Sequence, residues 1–347
     1  MSSGLRSRTG VEAADPGASA RADPRLFEAL AQSLSSYWRQ RQPYQTFLYV
    51  TGSVLLASGL VHGVLWGVTG DSWTDPVSWR KPTLFGISFG LTALSLAWVH
   101  THLRPHPRLG WLVCGSFGVA AMGEVALISL QRWRRVPSHF NTGTAFDATV
   151  FQLMGLLVAV VALGIIAVTV QALTSVRAAP SMRLAVRGGL LLLVAGQVLG
   201  QLILVNGATV LHHDPGANLA QASVLGAAGQ MKVPHAVALH AIQVLPALAW
   251  LLSFTSLVER VRLRLVVLAA AGYTGLLLVN VAQTFRGLAP LALNIAALAT
   301  LLLSLTLLLG TGIVTLVSLL RPRPPSRTSS TPPAEAGNPT WPEDPTT

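Results

Sequence analysis

His62, Glu124 and His240 are titratable residues set inside long apolar runs of this 347-residue chain. Glu124 is the only acid in the interior of any such run. A carboxylate at that depth needs a hydrogen-bonding or charged partner, and intramembrane ionisable groups are functional by default. Helical rise places His62 roughly 9 Å and Glu124 roughly 10 Å below one end of their runs. Gln152, Gln201, His240 and Asn280 fall at comparable depths of roughly 6–8 Å in four other runs. Convergence of these six side chains in one interior layer is therefore expected, with His62, His139 and His240 as candidate ligands of a metal ion or a b-type haem. Glu124 would handle protons or orient the bound group. His235 and His240 are five residues apart, about 140° around a helix, so they do not form the i,i+4 pair of a zinc protease helix.

A second set of residues suits an anion. Four connecting segments each place a cation shortly before a proline: Arg80-Lys81-Pro82, Arg135-Val136-Pro137, Lys232-Val233-Pro234, and Arg286 ahead of Pro290. Proline fits the first turn of a helix, and the helix N-terminus adds partial positive charge. Arg80, Lys81, Arg135, Lys232 and Arg286 are thus expected to rim a site for an anionic ligand. Snorkelling to lipid phosphate is the competing explanation for such cations. The strings WRKP, SHFN and PHAVALH concentrate these residues. No CxxC, P-loop, GxSxG or HExxH pattern occurs.

The elements that must position these residues follow from composition. Hydrophobic residues make up 51% and charged residues 11%, against roughly 25% charged in a soluble domain. Mean hydropathy is +0.55. A soluble enzyme, a disordered protein and a disulfide scaffold are excluded, the last because Cys114 is the lone cysteine. The net charge of +11 sits in short loops between apolar runs, which points to a lipid bilayer as partner and not to nucleic acid.

The fold class expected is all-α: a polytopic membrane helix bundle. Eight runs reach spanning length of about 20 residues, at 45–68, 83–103, 109–131, 147–174, 183–206, 235–255, 262–284 and 290–319. Gly188, Gly189, Gly196 and Gly200 in the fifth permit close helix approach. Residues 1–44 form a polar segment in which Pro24–Tyr37 has amphipathic spacing, with no signal-peptide pattern. The Pro/Ser/Thr-rich residues 321–347 read as a disordered tail.

Arg104, Arg108, Arg177, Arg183, Arg187, Arg260, Arg262 and Arg264 load the even loops, which places both termini in the cytoplasm of a cell-membrane protein. The odd loops, after spans one, three, five and seven, hold the candidate sites together with Trp66, Trp73, Trp79 and Trp133. Three functional readings follow: a haem- or metal-linked redox protein with its site near the outer face, a transporter or channel for a small anion or polar solute, or a non-catalytic lipid-binding scaffold.

Overall fold

The computed structural model describes residues 24–321 apart from 215, 219 and 220. The expectations for residues 1–23 and for most of the C-terminal tail lie outside the described residues. An amphipathic helix α1 (Pro24–Arg39) precedes eight helices of membrane-spanning length and hydropathy. These are α2 (Pro43–Thr69), α3 (Arg80–Val99, continued by a 3-10 turn to His102), a third from Pro107 to Trp133, α6 (Ala145–Ser175), α7 (Pro180–His213), α8 (Lys232–Ser253), α9 (Glu259–Phe285) and α10 (Ile295–Leu320). The third span is composite: a single α turn, α4 (Pro107–Gly110), a π turn over Trp111–Gly115, then α5 (Ser116–Trp133). This arrangement is that of an all-α bundle and is compatible with a multi-pass membrane protein. Large apolar side chains such as Val64, Leu112, Leu163, Val198, Leu309 and Ile313 are exposed on its outside, as lipid contact requires.

Chemistry at the ends sets the boundaries. Gln42 and Gln45 form a capping box at the start of α2, with Gln42 N–H donating to Gln45 Oε1 at 2.7 Å. Thr144 caps α6 by accepting from Asp147 N–H at 3.1 Å. The last span starts at 295 and not 290, because Asn294 accepts from Ala297 N–H at 2.9 Å and forms the N-cap there. The fifth span runs seven residues past its expected end, so His212 and His213 belong to the last turn of α7 and not to a loop. The fifth connection also holds a two-residue hairpin, β1 (Val224–Leu225) with β2 (Gly229–Gln230). Ala228 N–H donates to Gly287 O at 3.0 Å and fastens this loop to the seventh.

Packing rests on small residues. A Cβ on Gly86 would lie 2.7 Å from Gly59 Cα, and one on Gly90 would lie 2.7 Å from Leu56 N. The backbones of α2 and α3 therefore touch along a seam of Gly52, Gly59, Gly86 and Gly90. In α7, Gly189 and Gly196 bring α8 equally close: a Cβ on Gly189 would lie 3.0 Å from Ile242 Cα. Such contacts supply van der Waals attraction where water does not drive helices together.

At the even-loop end, Arg177 N–H donates to His102 O at 2.7 Å, and Leu103 bridges Val176. Glu259 Oε1 accepts from Ser181 N–H at 2.7 Å and caps α7.

Two outcomes test this architecture. Gly86→Leu should cost about 1–3 kcal/mol or more through overpacking, read as a lower melting temperature in detergent. Gly67→Ala, with nothing within 4 Å, should be nearly silent. Single cysteines at Asn141 and Ala217 should label from one side of intact vesicles and cysteines at Arg177 and Arg260 from the other. Labelling of Ala217 and Arg177 from one side would break the eight-span count.

Candidate functional site

The odd loops do not stand apart. Lys81, in the first turn of α3, donates from Nζ to Ser138 Oγ at 3.4 Å. Ser138 Oγ is 2.9 Å from His139 Nδ1. Lys81 has no acceptor, so Ser138 accepts from it. The Ser138 hydroxyl has a second lone pair and its own proton, so its bond with Nδ1 runs in the direction set by the His139 tautomer. The His139 ring lies between Phe85 and Phe151, with centroids 5.9 Å and 6.1 Å away.

Burial first, then the fields of Lys81 and Lys232, hold the His139 pKa well below 6.5. The imidazole is neutral at pH 7.

Lys81, Arg80 and Lys232 lie within one another's electrostatic reach at the N-termini of α3 and α8. The ion pairs among the described residues are Arg132–Asp71, Arg134–Asp147 and Arg262–Glu259. None of the three clustered cations has a carboxylate partner there. Asp71 and Asp147 serve other cations, and Asp75 and Asp214 accept from the backbone N–H groups of Val77 and Gly216; Asp147 also accepts from Gln131 Nε2 at 3.0 Å and from Thr144 Oγ1 at 2.8 Å.

A narrow crevice of about 10 Å³ opens beside Lys81, lined also by Ser78, Ile128, Arg132, Val136 and Ser138. Arg132 stacks its guanidinium 4.0 Å over the Trp79 ring and pairs with Asp71, yet its Nε is buried without a partner among the described residues. Trp79 Nε1 is orphaned as well. The loop that carries Ser138 and His139 is strained: Arg135 and Phe140 hold φ of 59° and 58°. Left-handed conformations at non-glycine residues cost about 1–3 kcal/mol each and cluster at functional sites.

The structure rearranges the expected residues. His62 is buried, its Nδ1 2.8 Å from Ser58 O and its ring 5.7 Å from Trp79. Glu124 is 0% exposed, and neither carboxyl oxygen has a partner among the described residues. It bonds to neither histidine. His240, Gln152 and Gln201 are exposed on the outside of the bundle, and Asn280 Nδ2 donates to Leu276 O within its own helix. The shared polar layer is therefore absent: equal depth does not fix which way a helix turns its side chain. No three His, Cys, Asp or Glu side chains among the described residues come together as a metal-holding group. The expected pairing of two imidazoles has no geometric counterpart.

Of the cationic rim, Arg80, Lys81 and Lys232 come together with His139. Arg135 and Arg286 are exposed in their loops. Ser78, Arg132 and Ser138 were not anticipated. The adjacency of Ser138 to His139, and the two-turn spacing of Arg132 from Glu124, were the available signals. No protein-family model, curated protein or solved structure matches the chain.

The low His139 pKa fixes a sign. Below about pH 6.5 the unfolded chain takes up a proton that the folded site refuses, so stability is full above that value and falls as pH drops. Melting temperature in detergent should decline from pH 7.5 to 5.5, and His139→Gln should flatten the slope. Identical slopes would contradict a neutral buried imidazole.

Proposed function

We propose that the protein is a multi-pass cell-membrane protein, with both termini cytoplasmic, that binds and moves a small anion at its odd-loop face. One observation carries the reading: Lys81, Arg80 and Lys232 cluster at two helix N-termini without a carboxylate among the described residues, beside a crevice with orphaned donors. Like charges so placed repel one another, and a bound anion relieves that repulsion while pairing with the donors. The neutral His139 adds hydrogen-bonding capacity without adding a charge.

Glu124 extends the reading toward transport. Glu124, Ile128 and Arg132 are spaced by single helical turns on α5, so the carboxyl lies about 12 Å along the axis below Arg132. Ile128 is fully buried and lines the crevice between them. A desolvated carboxyl with no partner demands compensation, and we assign that compensation to a proton carried with the anion. Ile128 then separates the anion crevice from the proton-carrying group.

Titration of the purified protein with chloride, nitrate and phosphate, read by quenching of Trp79 and Trp133, tests binding. Lys81→Gln should weaken the preferred anion by roughly tenfold or more, the scale of one hydrogen bond to a charged group. Arg286→Gln, exposed and outside the cluster, should leave it unchanged. In proteoliposomes Glu124→Gln should abolish acidification coupled to anion uptake and spare equilibrium binding. Unaltered titrations for both Lys81→Gln and Arg132→Gln would remove the proposal.

A further inference from the structure

We propose that the opposite, even-loop end of the bundle holds a second site, which takes the phosphate of an anionic lipid headgroup beneath α1. A cavity of about 260 Å³ lies there, lined by Tyr37, Gln40, Thr101, Leu103, Pro105 and Arg177. None of these residues is acidic. They bring a guanidinium, a phenol and an amide to one hollow, a donor set suited to phosphate oxygens, while the Thr101 hydroxyl donates to Trp98 O at 2.6 Å.

Arg177 is held for the task. Its backbone N–H is fixed on His102 O, beside the Leu103–Val176 bridge, while its guanidinium has no partner among the described residues. Three other arginines at this end are already engaged. Arg187 donates to Ala172 O and Leu173 O, Arg262 to Thr255 O, and Arg41 to Thr46 Oγ1. Behind the Tyr37 wall, His102 presents a buried Nε2 with no partner, its ring 5.8 Å from that of Tyr37. Glu259, an acid at this end, is occupied by Ser181 and Arg262.

The lipid source follows from α1. Phe27, Leu34 and Trp38 are 62%, 56% and 50% exposed. Their spacing of seven and four residues sets them on one helix face. The other side of α1 is tied to the bundle end by Trp250 Nε1 donating to Ser33 Oγ at 3.1 Å and by Tyr37 packing on Trp98. Arg41 covers the Trp38 ring at 3.7 Å. An outward apolar stripe with cations at its end, where the long helices stop, is the form of a helix lying in the lipid interface. A soluble phosphate compound would need no such stripe.

The test uses the full-length protein in detergent, with melting temperature and native mass spectrometry as readouts. Phosphatidylglycerol should stabilise and remain bound where phosphatidylcholine does not. Arg177→Gln should weaken phosphatidylglycerol retention roughly fivefold, the worth of one cation near a charged lipid surface, and Arg260→Gln should leave it within twofold. Equal losses from Arg177→Gln and Arg260→Gln would mean diffuse surface attraction and overturn the site. Inorganic phosphate stabilising the protein as strongly as the lipid would overturn the lipid assignment. Circular dichroism confirms that the variants fold, as expected for an exposed arginine whose backbone contacts are kept.

Discussion

Everything at the odd-loop face depends on how closely α2 and α3 approach. Their glycine seam brings backbone against backbone, with Gly86 so near Gly59 that no β-carbon fits between them. In a lipid environment no hydrophobic force holds two apolar helices together, so close contact must supply the attraction. That hairpin fixes the first loop, and the first loop delivers Trp79, Arg80 and Lys81. The glycines of α7 do the same for α8 and hence for Lys232. The cationic cluster is therefore a consequence of two small-residue seams, at a distance from the cations themselves.

Charge is then divided between paired and unpaired cations. Asp71 and Asp147 neutralise Arg132 and Arg134, which steadies the loops around the crevice. Lys81 receives only a serine hydroxyl. An unpaired cation beside two like charges is unfavourable in an otherwise apolar bundle, and the strained Arg135 and Phe140 add to the cost. Such expense concentrated in one loop cluster is the physical basis for reading it as a binding site.

The two ends of the bundle manage charge differently. At the even-loop end most of the engaged arginines donate to carbonyls at helix ends, where the helix dipole is negative. They serve structure as well as orientation. At the odd-loop end Arg80, Lys81 and Lys232 sit at helix N-termini, where the dipole opposes them and favours an anion, while Arg132, Arg134 and Arg286 sit at the C-terminal ends of α5 and α9.

The eight apolar helices and the amphipathic helix before them could be read in the sequence, because hydropathy over twenty residues and helical periodicity are local properties; of the four cation-proline devices, Pro82 and Pro234 fall in the first turns of α3 and α8, whereas Pro137 and Pro290 lie in loops ahead of α6 and α10. Span ends moved by a few residues where an unforeseen cap intervened, as at Asn294. Depth was legible too, since it is only residue count times helical rise. The direction in which each helix turns was not. Rotation is set by which small residues meet in the seams, so Glu124 went inward, His240 and Gln152 went outward, and His62 turned to its own helix and Trp79. The Lys81–Ser138–His139 chain joins residues separated by 57 positions. Only the tertiary structure brought that serine to that lysine, because nothing local to either residue specifies the other.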